Sequence, residues 1–163
     1  MTLISSDKVL DLEGTKIGIT AYQPAHTDGD ISVYFKEANV IHVGDIFWNG
    51  LYPFVDYSRG GSIDGTIAVS AKVIASVDAD AVIIPSHGKP LSTLDDLKDY
   101  HEMLATIRDN VARLKSAGRP VEETVAAAVV VLSIMRGGLI SAIVLLFEAW
   151  SKQPNSSKKK RIM

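Results

Sequence analysis

The stretch from His26 to Phe47 opens with His26-Thr27-Asp28-Gly29-Asp30 and closes with Val40-Ile41-His42-Val43-Gly44-Asp45-Ile46-Phe47. Between them, residues 31–35 alternate in the two-residue period of a strand, and Lys36-Glu37-Ala38-Asn39 turns the chain into a further strand over residues 40–43. Upstream, residues 9–12 and 16–21 flank the Glu13-Gly14 turn in a hairpin pattern. His26 therefore follows one strand and Asp45 ends another. A third such place lies downstream, where the apolar run 81–84 ends in Pro85-Ser86-His87-Gly88. In layered α/β folds, sites are built on the loops beyond strand ends.

Two helices complete this pattern. Ser62 is an N-cap for a helix to about residue 77, with apolar positions Ile63, Ile67, Val69, Val73, Ile74 and Val77. Ser92 with Asp95 opens a second helix in capping-box fashion, running to about residue 117, where Gly118 and Pro120 stop it. The segment 45–61, with Asn49-Gly50, Pro53 and Gly60-Gly61, reads as a long loop, and long loops in compact domains are functional or wrap around something. The order is four strands, helix, strand, helix: a mixed α/β layered domain.

Composition sets the limits. With 163 residues, 47% of them hydrophobic and 22% charged, the chain has enough apolar material for one packed domain or part of a larger one. A net charge of -2 gives no basic field for nucleic acid, so no nucleic-acid partner is expected. The basic run Lys158-Lys159-Lys160-Arg161 reads as a solvated end. With no cysteine, any metal must be held by His, Asp or Glu. Residues 1–11 lack a basic start followed by an apolar run, so no signal peptide is expected in this chain and a cytoplasmic location is the default.

His26, Asp45 and His87 are the candidate metal ligands. Taken singly, a histidine after a strand is more often a turn residue, and Asp45 alone could cap a loop. Together they sit at three strand ends, each near a glycine, and imidazole with carboxylate is the ligand set of zinc and similar divalent ions. His42, mid-strand between Ile41 and Val43, reads as a buried histidine or one that supports the ligands. His101 reads as a surface residue. Asp28 and Asp30 either orient His26 or form its turn. Trp48, Tyr52 and Phe54 either pack in the core and loop or wall a substrate pocket. Ser86 lacks the Gly-x-Ser-x-Gly context of a nucleophile, and Lys89 lacks the upstream glycine of a phosphate loop.

These motifs, in this order, resemble the metallo-β-lactamase superfamily: His-Thr-Asp-Gly-Asp at 26–30, Val-Gly-Asp-Ile-Phe at 43–47 and Ile-Pro-Ser-His-Gly at 84–88. The segment from Asn49 to Ile63 is similar to its hydrolase-type members, and the resemblance covers roughly residues 8–127. It implies the C-terminal half of an αββα sandwich, a mixed sheet with helices on one face. It also implies a two-zinc site. There the residue matching His26 completes a three-histidine set, that matching Asp45 bridges both ions, and that matching His87 binds the second. The implied reaction is hydrolysis of an ester, thioester or amide-like bond in a small-molecule substrate.

The family's His-x-His-x-Asp-His motif has no counterpart in this sequence. Each zinc would keep one imidazole and a share of one carboxylate, so unaided hydrolysis is not expected. The alternative is a non-catalytic remnant or interaction module. Half a sandwich exposes an apolar sheet face, which implies self-association or pairing with an N-terminal half. The expected division is a domain over residues 1–127 and an apolar helical segment with a basic tail over 128–163. Residues 125–147 are almost wholly apolar but interrupted by Arg136, Gly137 and Gly138. A central Arg costs about 2.5–3.5 kcal/mol in a membrane helix, so a helix packed on the domain is favoured over a membrane segment or a foreign terminus.

Overall fold

The computed structural model describes residues 4–132. Strands β1 (Lys8–Leu12), β2 (Thr15–Ala21), β3 (Ile31–Phe35), β4 (Val40–Asn49) and β5 (Val82–Gly88) form one sheet in sequential order. Pairings from β1 to β4 are antiparallel, and β4 pairs β5 in parallel. The parallel step needs a crossover, supplied by α1 (Ile63–Ser76). Helices α2 (Leu94–Ser116) and α3 (Val121–Leu132) follow.

Local chemistry explains the turns. Glu13 and Gly14 both have positive φ (52° and 88°), the requirement of a tight two-residue hairpin turn. Asn39 is left-handed after the short 3-10 helix Lys36–Ala38, and its Nδ2 donates to Asp80 Oδ1 at 2.8 Å, fastening the start of β4 beside the entry to β5. Ser62 caps α1 by accepting from the Gly65 amide. The cap of α2 falls one residue later than the sequence pattern suggests. Thr93 accepts from the Asp96 amide and Asp96 returns the bond to the Thr93 amide, a reciprocal box. Ser92 is instead held by the sheet: its backbone exchanges two bonds with Ile83, and its Oγ accepts from Asn49 Nδ2 at 2.6 Å.

Leu97, Tyr100, Leu104, Ile107 and Val111 recur at three- and four-residue spacing and give α2 one buried stripe. That stripe packs with Val69 and Val73 of α1 onto Ile41, Val43 and Ile83 of the sheet. Arg108 ties the two helices to each other through Asp64 Oδ1 at 2.8 Å. His101, expected at the surface, is half-buried between them, its Nδ1 2.9 Å from Ser70 Oγ.

The sheet has a second face of different character. Register places Leu10, Ile17, Phe35, Val40 and Val82 in one row across all five strands, opposite in side to Ile41 and Ile83. Leu10, Phe35 and Val82 in this row are exposed. The neighbouring row carries His42, which is exposed rather than buried and accepts a bond from the Gly44 amide. Alternation along β4 placed that side chain correctly; what it did not show was that this face lies open.

Helix α3 runs through residue 127, and residues 133–163, most of the expected second segment, lie outside the described residues. Among the described residues, no helix is long and apolar enough to cross a membrane.

Candidate metal centre

Strand β4 does not end at Val43. It continues to Asn49, but its ladder with β5 breaks on the way. Gly44 pairs with Pro85 and Trp48 with His87, so Asp45, Ile46 and Phe47 stand against Ser86 alone. The bulge begins at Gly44, whose φ of 54° suits a residue without Cβ. It lets the Ile46 and Phe47 side chains both enter the core while Asp45 turns out toward β5. The long loop therefore starts at Gly50, not Asp45.

That loop wraps around the turn carrying His26. The Asp56 amide donates to the His26 carbonyl at 2.9 Å, the Asp28 amide to the Arg59 carbonyl, and the Ser62 amide to the Ala25 carbonyl at 2.8 Å. Gly61 permits the contact, because a Cβ there would lie 2.2 Å from the His26 carbonyl oxygen. Asp30 Oδ2 accepts from the Thr27 amide at 2.9 Å, so Asp30 forms the turn.

The three sequence-predicted ligands come together. His26 Nδ1 lies 3.7 Å from Asp45 Oδ2, and His87 Nε2 lies 3.2 Å from Asp45 Oδ1. The carboxylate stands between two imidazoles and turns one oxygen to each. His26 is the most enclosed of the three, while Asp45 is about one-third and His87 about one-half exposed. Two donors on one tetrahedral zinc ion stand about 3.4 Å apart when each bond is about 2.1 Å. Both pairs fit that spacing, and the donor types suit zinc. Among the described residues, however, no group of three His, Asp or Glu side chains is placed to hold one ion.

Aromatic side chains flank the pair. Trp48 stacks on His87 with ring centroids 3.9 Å apart, and Phe54 meets His26 edge-on at 6.3 Å. Tyr52, by contrast, is buried in the core. Tyr100 packs on Phe47 beneath the bulge at 5.1 Å. Burial first, and the Asp45 charge second, push its phenol pKa well up, so the hydroxyl stays protonated and is no anionic ligand. A cavity of about 290 Å³ is lined by Asn49, Leu51, Tyr52, Asp99, Tyr100 and Met103, and none of His26, Asp45 or His87 lines it.

One contact was missed in the sequence. Ser86 Oγ donates to Asp45 Oδ1 at 2.5 Å. Its signal is the step before His87 on the same strand, visible only once the bulge sets Asp45 against it.

Comparison with solved structures shows which fold carries this arrangement. A metallo-β-lactamase from Pontibacter korlensis matches with TM-score 0.55 at 14% identity, covering 63% of this chain and 47% of that one. The chain has a metallo-β-lactamase fold. The BLEG-1 B3 metallo-β-lactamase matches with TM-score 0.53 at 24% identity, over 63% of this chain and 47% of that one. A double mutant of the sec-alkyl sulfatase PisA1 matches with TM-score 0.67 at 15% identity, over 99% of this chain but 28% of the sulfatase. Against the two β-lactamases the chain thus spans about half of a metallo-β-lactamase-fold protein. No family model matches the sequence, and no curated protein does.

Proposed function

We propose that the chain contributes part of a metal-dependent hydrolase centre in which His26, Asp45 and His87 are zinc ligands. The observation that carries this reading is the Asp45 carboxylate, set between His26 and His87 with one oxygen toward each at 3.7 and 3.2 Å. His26 and His87 would each hold a different ion and Asp45 would serve both. Zinc in such a centre supplies Lewis-acid polarisation and an activated water for attack on an ester, thioester or amide-like bond. Trp48 lies against His87 and Phe54 against His26. The bond attacked is not chosen by the fold, since similar structures include both a sulfatase and β-lactamases.

A catalytic zinc ion takes three protein ligands and keeps one position open. The described residues offer each ion two, so we assign metal binding to this chain and turnover to an assembly that brings further donors. The second reading, an interaction module, is favoured by the exposed Leu10, Phe35 and Val82 on the sheet face opposite the helices. Such a row suits pairing with a second copy of the chain or with a complementary half.

Calorimetric zinc titration of the purified chain and of His87→Ala separates the readings. Sub-micromolar binding that is lost in the variant supports the metal centre. An absence of binding to the unaltered chain refutes it and leaves the interaction module.

A further inference from the structure

We propose that Ser86 is a positioning residue that sets the plane of the Asp45 carboxylate and thereby the donor geometry of both histidines. For its metal-affinity arm this rests on the zinc reading above.

The terminal torsion of an aspartate is broad, and Asp45 is about one-third exposed, so solvent competes for its oxygens. The β4 bulge leaves Asp45, Ile46 and Phe47 opposite one residue of β5, and that residue is Ser86. Its hydroxyl donates to Oδ1, the oxygen that also faces His87 Nε2 at 3.2 Å. With Oδ1 held there, the planar carboxylate must turn Oδ2 the other way, toward His26 Nδ1 at 3.7 Å. One hydrogen bond thus fixes two contacts. Ser86 directly precedes His87, so the same strand positions a ligand and the donor that aligns its neighbour. The hydroxyl proton is engaged by the Asp45 carboxylate, and Ser86 lacks the Gly-x-Ser-x-Gly context of a serine nucleophile. Groups that orient metal ligands in this way alter metal affinity by about 10–100-fold when removed.

The experiment compares the unaltered chain with Ser86→Ala and Ser86→Thr in two arms. In metal-free protein, the imidazole NMR resonances of His26 and His87 are expected to move together in Ser86→Ala and to return in Ser86→Thr, which keeps the hydroxyl. In zinc titration, Ser86→Ala is expected to bind about 10–100-fold more weakly, with most of the affinity restored by Ser86→Thr. Imidazole resonances unchanged in Ser86→Ala would overturn the proposal whether or not zinc binds. Equal zinc affinity of Ser86→Ala and the unaltered chain would overturn it too. An unaltered chain that binds no zinc defeats the metal reading alone, and the metal-free arm still decides the role of Ser86.

Discussion

Two glycines with the same backbone angle allow a steric effect to be separated from a conformational one. Gly14 and Gly88 both have φ of 88°. A Cβ at Gly14 would meet nothing within 4 Å, whereas at Gly88 it would lie 1.8 Å from the Asn49 carbonyl oxygen and 2.8 Å from its carbon. Gly14→Ala is therefore expected to cost only the left-handed penalty, about 1–2 kcal/mol. Gly88→Ala carries the same penalty and must also push the Asn49 backbone away. That movement strains the buried bond from Asn49 Nδ2 to Ser92 Oγ, worth about 1 kcal/mol net and more if a buried group is left unpaired. The expected difference between the variants is about 2 kcal/mol, or a urea midpoint lower by about 1 M at an m-value near 2 kcal/mol/M. Equilibrium urea unfolding followed by circular dichroism measures it. Equal midpoints for the two variants would refute the claim that the approach of β5 to the end of β4 requires a glycine.

Asp96 accepts bonds from Thr93, and its backbone bond above all holds the carboxyl below its ordinary pKa of 3.8. Its contribution is thus present above about pH 4 and lost as pH falls through the depressed value; Asp96→Ala should be about 0.5–1 kcal/mol less stable at pH 7, the gap closing in acid, as urea unfolding across pH would show. Zinc addition should change the emission of Trp48, stacked on His87, and Trp48→Phe should abolish the response; a response kept in that variant would come from the second tryptophan and count against the stack. Light scattering at micromolar concentration should show association of the chain, reduced by a Leu10→Lys, Phe35→Lys double substitution; a monomeric unaltered chain would argue against the open face as an interface. Phe47→Leu and Leu104→Val should each cost on the order of 1 kcal/mol, yet only the former should weaken zinc binding; equal affinities would show that the bulge does not depend on its buried neighbour.

Most of the strand and helix order was legible because its signals are local: alternation over residues 31–35, the Glu13-Gly14 turn, and the cap at Ser62. The failures share one cause, which is that the deciding partner is distant in sequence. Ser92 has the chemistry of a cap, but Ile83 and Asn49 claim it, so Thr93 takes that role. His42 alternates as a core-adjacent residue should, yet whether its face is covered depends on what packs there. Residues 45–49 read as loop because Asn49-Gly50 and Pro53 mark the segment as irregular, yet Trp48 and Asn49 pair with His87 and Gly88 across a bulge. His26, Asp45 and His87 were legible as a group through motif order rather than through any single residue. Ser86 was passed over because only a nucleophile's context was sought around it.

The bulge in β4 is where fold and site become one problem. A regular strand through residues 44–48 would place Asp45 and Phe47 on one face and Ile46 on the other. Here Ile46 and Phe47 are both fully buried, which offsets the ladder bonds lost opposite Ser86 with apolar burial of roughly 1.5–3 kcal/mol per side chain. Asp45 reaches the gap between the histidines because its two neighbours are held inside. Phe47 rests on Tyr100, and Tyr100 belongs to the same α2 stripe as Leu97 and Leu104. The helix layer thus fixes the carboxylate from below, and Ser86 fixes it from the side. A carboxylate held from two directions keeps its place between the two histidines. This explains how a chain spanning about half the length of the β-lactamases it resembles holds together a turn residue, a bulge residue and a residue near the end of β5.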